Sequence, residues 1–193
     1  MARNRNFDEQ DILDRAIELF KIRGYRGTTP EDLVSTLGIS RSSLYNTFGD
    51  KHSLLLKSLH RYHEKTVVGL ENIISNTREP LAGIKLIFKL SIEGTYPGGM
   101  PQGCFLINSI IEFGPDEPAA VEIVRKSIDA TRGALLHFVL DGKKEGKFSD
   151  SLDAETMADY LQNCINGIVV SAKAGMTQAE CERMVESTLI LLH

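Results

Sequence analysis

A short stretch of polar side chains between residues 41 and 47 has the chemistry needed to read nucleic acid. These side chains donate and accept hydrogen bonds, and they could reach base edges and phosphates from a helix in a DNA major groove. They are Arg41, Ser42, Ser43, Tyr45, Asn46 and Thr47. Lys51, which follows a candidate helix cap at Asp50, could contact a backbone phosphate. The alternative is a short helical hairpin whose polar side chains are simply solvated.

Cys104 could carry a different chemistry. If Pro101 to Gly103 begins a helix, the sulfur lies in the first turn, where the positive end of the helix dipole favours the thiolate. Redox or electrophile sensing is therefore one interpretation. A cysteine followed by Phe, Leu and Ile is more often a small buried hydrophobe, so packing or pocket lining is the favoured role. We expect Cys164 and Cys181 to be packing residues.

Metal, cofactor and enzyme chemistry are not predicted. His60 and His63 could share a metal ion at their helical spacing, but the sequence suggests no third ligand. The glycine-rich stretch from Gly94 to Pro101 lacks the Gly-Lys-Ser/Thr ending of a phosphate-binding loop. Neither a Ser/His/Asp elbow nor a paired-carboxylate motif is apparent. We therefore expect no metal, no cofactor and no catalysis; a helical ligand-binding enzyme is a remote alternative.

The elements that would position these side chains are helical throughout, so we predict an all-α fold. Apolar residues recur at helical spacing from Ile12 to Phe20, after a candidate cap at Asp8, and Gly24 to Gly27 ends this first helix. No segment alternates with the period of a strand. Later helices are predicted over Lys51 to Ser75, Leu81 to Glu93, Cys104 to Phe113, Ala119 to Leu140, Ala154 to Ala174 and Gln178 to Leu192.

Two short helices between the first helix and Lys51 suggest a helix-turn-helix. Thr29 can cap a helix that has Pro30 at its first position and Asp32 three residues after the cap. That helix stops at Gly38, which permits a tight turn, and Ser40 can cap the next one. Apolar residues at regular points would lock both against the first helix: Leu33, Leu37, Ile39, Leu44 and Phe48.

The charge distribution agrees with a nucleic-acid partner only after the chain is divided. The 193 residues contain 22 Lys and Arg against 26 Asp and Glu, for a net charge of -4. Residues 1–62 contain 10 basic and 8 acidic residues, whereas residues 63–193 contain 12 and 18. The acidic excess therefore belongs to the C-terminal part. Scattered cysteines, a polar Met1 to Phe7 and the lack of long apolar runs favour a cytoplasmic protein without a membrane span.

The sequence over about residues 8–60 resembles the DNA-binding domain of the TetR family of bacterial one-component repressors. The resemblance rests on Gly24 to Thr29, Leu37 to Ser40, Ser43 to Phe48 and Asp50-Lys51. It implies a helix-turn-helix domain over residues 1–50 and an effector-binding and dimerisation domain over residues 51–193. It also implies that Thr28 or Thr29, Tyr45 and Lys51 contact phosphates, whereas Arg41, Ser42, Ser43, Asn46 and Thr47 lie near bases.

The resemblance further implies a homodimeric regulator, most often a repressor, that leaves a palindromic double-stranded operator when a small organic effector binds. The last two helices, with apolar stripes that include small residues, are predicted to form the dimer contact; the alternative is that they only close the core of one subunit. The segment Gly103 to Asn108, with Glu112, is similar to a branch that includes repressors of electrophile, aldehyde and acrylate detoxification genes. A thiol sensor acting through Cys104 is therefore an alternative to a non-covalent effector.

Candidate pocket residues are polar or aromatic side chains in the C-terminal part. They are Tyr62, His63, Tyr96, Cys104, Phe105, Asn108, Glu112 and His137. Of these, His137 stands in an apolar run and is more readily explained as a core histidine than as a ligand.

Overall fold

The computed structural model describes residues 7–193, and this part of the chain contains helices and no strand. The predicted all-α fold is thus confirmed. The polar segment Met1 to Phe7, on which the prediction of a cytoplasmic protein partly rested, lies outside these residues apart from Phe7. The α-helices are α1 (Glu9–Arg23), α2 (Pro30–Leu37), α3 (Arg41–Phe48), α4 (Lys51–Asn76), α5 (Pro80–Thr95), α6 (Phe105–Phe113), α7 (Pro118–Lys144), α8 (Ala154–Lys173) and α9 (Gln178–Leu189).

Side-chain caps fix the starts of the first four helices. Asp8 accepts a hydrogen bond from the Gln10 amide at 2.8 Å, and Ser40 accepts one from the Ser43 amide at 3.1 Å. Thr29 and Asp32 form the predicted capping box at the start of α2. The Thr29 amide, which donates to the Asp32 carboxylate, lowers the pKa of that carboxyl group. These caps satisfy amides that a helix leaves unpaired at its N-terminus.

The turn between α2 and α3 depends on a left-handed backbone conformation at Gly38. Its φ of 68° and ψ of 25° would strain a residue with a side chain, and its amide donates to the Val34 carbonyl. The turn brings Leu33 and Leu37 of α2 and Leu44 of α3 into one buried cluster. The predicted helix-turn-helix is therefore formed.

The cluster that holds the helix-turn-helix continues beyond residue 50. It includes Leu54, Leu55 and Leu59 from the first half of α4, together with residues of α6 and the start of α7. The domain boundary predicted after residue 50 thus falls within a continuous set of packed side chains. The N-terminal helices therefore pack against side chains from the C-terminal part of the chain.

A second core is formed by the end of α4 with α5, α7, α8 and α9. Helices α5 and α7 approach each other closely where the Phe138 ring packs directly on Gly83. A Cβ atom added at Gly83 would lie 2.4 Å from this ring, well inside van der Waals contact. Because Gly83 has no side chain, α5 and α7 can pack this closely, and both helices contribute to the wall of the cavity described below.

We expect Gly83→Ala to lower the free energy of unfolding by about 1–3 kcal/mol, because the buried Phe138 ring must shift to admit a methyl group. Gly133→Ala is the matched control, since Gly133 is an exposed residue of α7 with no neighbouring atom near its would-be Cβ. That substitution should raise stability by about 0.5–1 kcal/mol through helix propensity. Urea denaturation followed by circular dichroism measures both. Equal effects of the two substitutions would contradict the proposed contact.

Candidate nucleic-acid interface and effector cavity

The solvent-facing side of α3 consists of the residues singled out from the sequence. Leu44 and Phe48 are buried against the other helices, so the intervening positions point outward. Arg41, Ser42 and Asn46 are exposed, and Ser43, Tyr45 and Thr47 are half-buried. The helix is amphipathic, and it presents hydroxyl, amide and guanidinium groups on one continuous surface.

Several of these side chains are held in place by neighbours. The Ser40 hydroxyl lies 3.0 Å from the Ser42 hydroxyl and donates to the Ser43 hydroxyl at 2.9 Å. The Arg41 guanidinium lies 5.9 Å from the centre of the Tyr45 ring and 3.3 Å from a carboxylate oxygen of Glu31. Because both partners of this ion pair are exposed, it contributes little to stability and can open when a phosphate approaches.

Lys51 has an internal role. Its ammonium group donates to the Thr28 carbonyl at 2.6 Å and lies 4.2 Å from the centre of the Tyr25 ring. Burial lowers the pKa of Lys51, and the nearby Glu112 carboxylate opposes this effect. Lys51 therefore ties the start of α4 to the loop between α1 and α2.

The two threonines predicted at the phosphate backbone have different surroundings. Thr28 is buried, and its hydroxyl donates to the Gly24 carbonyl at 2.6 Å, so it lacks access to a phosphate. Thr29 is exposed at the N-terminus of α2, where its hydroxyl takes part in the capping box. Of the two threonines, Thr29 is therefore the one whose side chain is accessible from the surface.

A cavity of about 270 Å³ lies in the C-terminal part, between α4, α5, α6, α7 and α8. The surface of its wall is mainly apolar, and the aliphatic residues that line it are Leu70, Ile73, Ile87, Leu90, Leu106, Ile107, Ile128, Ile165 and Val169. The polar side chains in the wall are Tyr62, Lys65, Thr66, Ser91, Thr95, Cys104, Ser127, Thr131, Gln162 and Asn166. A mainly apolar surface with polar groups placed along it is the usual form of a small-molecule site.

Three of the predicted pocket residues lie at this cavity. Tyr62 and Cys104 line it, and the Tyr62 hydroxyl is 3.8 Å from the Cys104 sulfur. Both the negative charge that Cys104 can carry and burial raise the pKa of Tyr62 well above its usual value. His63 stands behind the wall, with Nδ1 2.9 Å from the hydroxyl of Ser127.

The other five predicted pocket residues lie elsewhere. Phe105 stacks on Phe20 of α1, with ring centres 6.4 Å apart. The Tyr96 hydroxyl donates to the Met176 carbonyl beside Cys181, because its ring is turned toward α9. His137 is half-exposed, 3.4 Å from Asp141 one turn later on α7. None of these three side chains lines the cavity.

Asn108 and Glu112, the remaining two, connect α6 to the DNA-binding part. The Asn108 amide donates to the Lys21 carbonyl at 3.3 Å and to the Gln102 carbonyl at 3.0 Å. The Glu112 carboxylate accepts hydrogen bonds from the backbone amides of Tyr25 at 2.8 Å and Arg26 at 2.5 Å. Charge-assisted bonds of this kind are among the stronger polar contacts in proteins.

Gln162 and Asn166 are cavity residues that the sequence analysis missed. Gln162 is 7% exposed and stands within the apolar stripe of α8, one turn after Ala158 and one turn before Ile165. A polar residue at a core-facing position of such a stripe was the available signal. This signal alone does not indicate a cavity, because a glutamine in an apolar stripe can also reach solvent at the end of a core.

These features define the class of the molecule as a helix-turn-helix protein with a C-terminal helical cavity. The family model for bacterial regulatory proteins of the tetR family matches residues 12–57. The model for the tetracyclin repressor-like C-terminal domain matches residues 80–188. The chain belongs to the TetR family and is a helix-turn-helix transcriptional regulator.

Relatives and solved structures of similar length agree with this assignment. The uncharacterized HTH-type transcriptional regulator YezE of Bacillus subtilis (strain 168) is 30% identical over 193 residues, which is 100% of both chains. The HTH-type transcriptional repressor ComR of Escherichia coli (strain K12) is 25% identical over 98% of this chain and 91% of its own. A cysteine mutant of the regulator CifR, complexed with 26 bp operator DNA, has the same fold with a TM-score of 0.84, 21% identity and full coverage of both chains.

No three His, Cys, Asp or Glu side chains between residues 7 and 193 are grouped so that they could hold a metal ion. Within the same range, no helix combines the length and apolar character needed to cross a membrane.

Glu112→Gln should weaken the attachment of the α1–α2 loop to α6, because an amide has only one acceptor oxygen for the two backbone donors. The free energy of unfolding should fall by about 1–3 kcal/mol, and amide hydrogen exchange should accelerate at Tyr25 and Arg26. Glu122→Gln is the matched control, since Glu122 is exposed and pairs only with Lys126. Exchange rates at Tyr25 and Arg26 that stay at the wild-type value would show that the carboxylate does not hold the loop.

Proposed function

We propose that this protein is a homodimeric cytoplasmic repressor that leaves its palindromic operator when a small organic molecule occupies the C-terminal cavity. The observation that carries this proposal is that α6 contacts both the cavity and the DNA-binding part. Cys104, Leu106 and Ile107 form part of the cavity wall, whereas Glu112 and Asn108 bind the backbone of the DNA-binding part. Movement of α6 on ligand binding would therefore displace the reading helix.

The DNA-reading residues of the proposal are those on the outer side of α3. Arg41, Ser42, Ser43, Asn46 and Thr47 would lie near base edges, and Tyr45 and Thr29 would contact phosphates. Lys51 would approach the backbone only as part of the α4 N-terminus, since its ammonium group already has the Thr28 carbonyl as a partner. Two such surfaces, one from each subunit, would read the two half-sites of a palindrome.

The dimer contact is proposed for α8 and α9, where large apolar side chains remain on the surface of the single chain. Tyr160, Val170 and Met184 are 41%, 48% and 43% exposed, and Ile190 and Leu191 follow at the end of α9. A second copy of this helical pair would cover them in a four-helix bundle.

The effector would act by preferring one arrangement of α6. If it binds more tightly to the arrangement with misplaced reading helices, operator affinity falls by the ratio of its two affinities. A covalent mode through Cys104 is a second candidate, because this sulfur lines the cavity beside the Tyr62 hydroxyl. Cys104→Ser separates the two modes, since release by a non-covalent effector should survive the substitution and release by an electrophile should not.

Asn46→Ala should weaken binding to the operator about tenfold and reduce its preference over unrelated DNA, because a base-edge contact is removed. Tyr45→Phe should instead weaken both kinds of binding by a similar factor, since it removes a phosphate contact that is blind to sequence. Fluorescence anisotropy with the upstream intergenic DNA measures the affinities. Asn72→Ala, an exposed asparagine of α4, is the control. If the Asn46→Ala variant and the Tyr45→Phe variant both bind the operator with wild-type affinity, the assignment of α3 as the reading helix is wrong.

Met184→Lys should weaken the dimer about a hundredfold, because an ammonium group without a partner would be buried twice across the two-fold axis. Met100→Lys is the matched control: Met100 is 68% exposed in the segment between α5 and α6, outside the proposed contact. Analytical ultracentrifugation over a range of concentrations gives both dissociation constants. A dimer of unchanged strength in Met184→Lys would place the contact on another surface.

A further inference from the structure

The serine and threonine hydroxyl groups in the cavity wall have already used their hydrogens. Thr66 donates to the Tyr62 carbonyl at 3.0 Å, and Ser91 donates to the Ile87 carbonyl at 2.8 Å. Thr95 and Thr131 bond in the same way to carbonyls one turn earlier on their own helices. Each hydroxyl oxygen keeps free lone pairs, so these groups face the cavity as acceptors.

Gln162 adds an acceptor that has no partner at all. Its amide nitrogen donates to the Asn166 side-chain oxygen at 3.0 Å, while its own carbonyl oxygen is buried without a hydrogen bond. In this orientation of the two amides, the buried Gln162 carbonyl oxygen is the free acceptor of the pair. An unsatisfied buried acceptor is unfavourable, and a donor on a bound molecule would remove that cost.

The cavity offers little to a charged molecule. Among its lining residues only Lys65 carries a full charge at neutral pH, and this side chain is 55% exposed and pairs with Asp14 at 3.2 Å. No carboxylate and no guanidinium line the wall. A charged ligand group would therefore lose its hydration without gaining a buried partner.

The volume limits the size of an occupant. At roughly 30 Å³ for a water-sized group, the cavity of about 270 Å³ holds roughly nine non-hydrogen atoms. We propose that the effector is an uncharged, mainly apolar molecule of this size whose hydroxyl group donates a hydrogen bond to the Gln162–Asn166 amide pair. This inference rests on the proposed function, since it specifies the effector of the same cavity.

Isomers that differ only in their hydrogen-bond donor test the proposal. n-Octanol and n-heptyl methyl ether share one molecular formula, as do para-ethylphenol and para-methylanisole, and each molecule has about nine non-hydrogen atoms. In calorimetric titrations of the full-length dimer, at least one alcohol or phenol should bind about tenfold more tightly than its ether isomer. Octanoate and n-octylammonium should bind more weakly than n-octanol.

Two variants locate the donor contact. Gln162→Met alone would leave the Asn166 oxygen without its donor, so Asn166→Leu is added to remove both amides of the pair. The alcohol and its ether isomer should bind this double variant with nearly equal affinity. Gln178→Met changes an exposed glutamine at the start of α9 and should leave the tenfold preference intact. The proposal is overturned by ether isomers that bind as tightly as their alcohols, by tighter binding of octanoate or n-octylammonium, or by a preference that survives the double variant.

Release of operator DNA by the same compounds separates this proposal from the proposed function. An alcohol that binds with the expected preference but leaves the operator complex intact would support the ligand class and contradict effector-driven release. Conversely, release of the operator by other compounds, with no alcohol or phenol bound in the cavity, would support the repressor mechanism and overturn the ligand class.

Discussion

The hydrogen bonds from the Tyr25 and Arg26 amides to the Glu112 carboxylate are the contact on which the proposed communication between the cavity and the DNA-binding part depends. They connect a loop of the DNA-binding part to α6, whose beginning lines the cavity about two turns earlier. Around them, the centre of the Tyr25 ring lies 5.2 Å from the centre of the Phe113 ring, and the Lys51 ammonium group lies over the Tyr25 ring. A charged acceptor at the edge of an aromatic cluster makes this contact both strong and directional, so the proposed shift of α6 would reach the loop.

The helices and the helix-turn-helix could be predicted because their signals are local. Caps such as Thr29 and Ser40 and the turn at Gly38 act within a few residues, and the structure has them where the sequence indicated. The cavity residues were harder to predict because α6 is apolar on almost every side, and periodicity does not reveal which side meets the cavity. Glu112 illustrates the limit, since its backbone partners lie 86 and 87 residues away in the sequence.

The distribution of charge on the surface explains how a chain with a net charge of -4 can serve as a DNA-binding protein. Several cations near α3 and α4 already have acidic or carbonyl partners: Arg41 with Glu31, and Arg61 and Lys65 with Asp14. A single subunit therefore attracts the phosphate backbone weakly, and non-specific binding stays modest. In the proposed dimer, affinity and specificity would then come from two subunits that engage both half-sites at once, which would make the spacing of the reading helices decisive.

Helix α4 has a consequence for the thermodynamics of the whole chain. At 26 residues it is about 39 Å long, and its first half lies in the N-terminal core while its second half lies in the C-terminal core. Because no loop interrupts it, one core cannot melt without removing half of the support of the helix that the other core requires. The two cores should therefore unfold in a single cooperative transition, in which the calorimetric and van't Hoff enthalpies coincide.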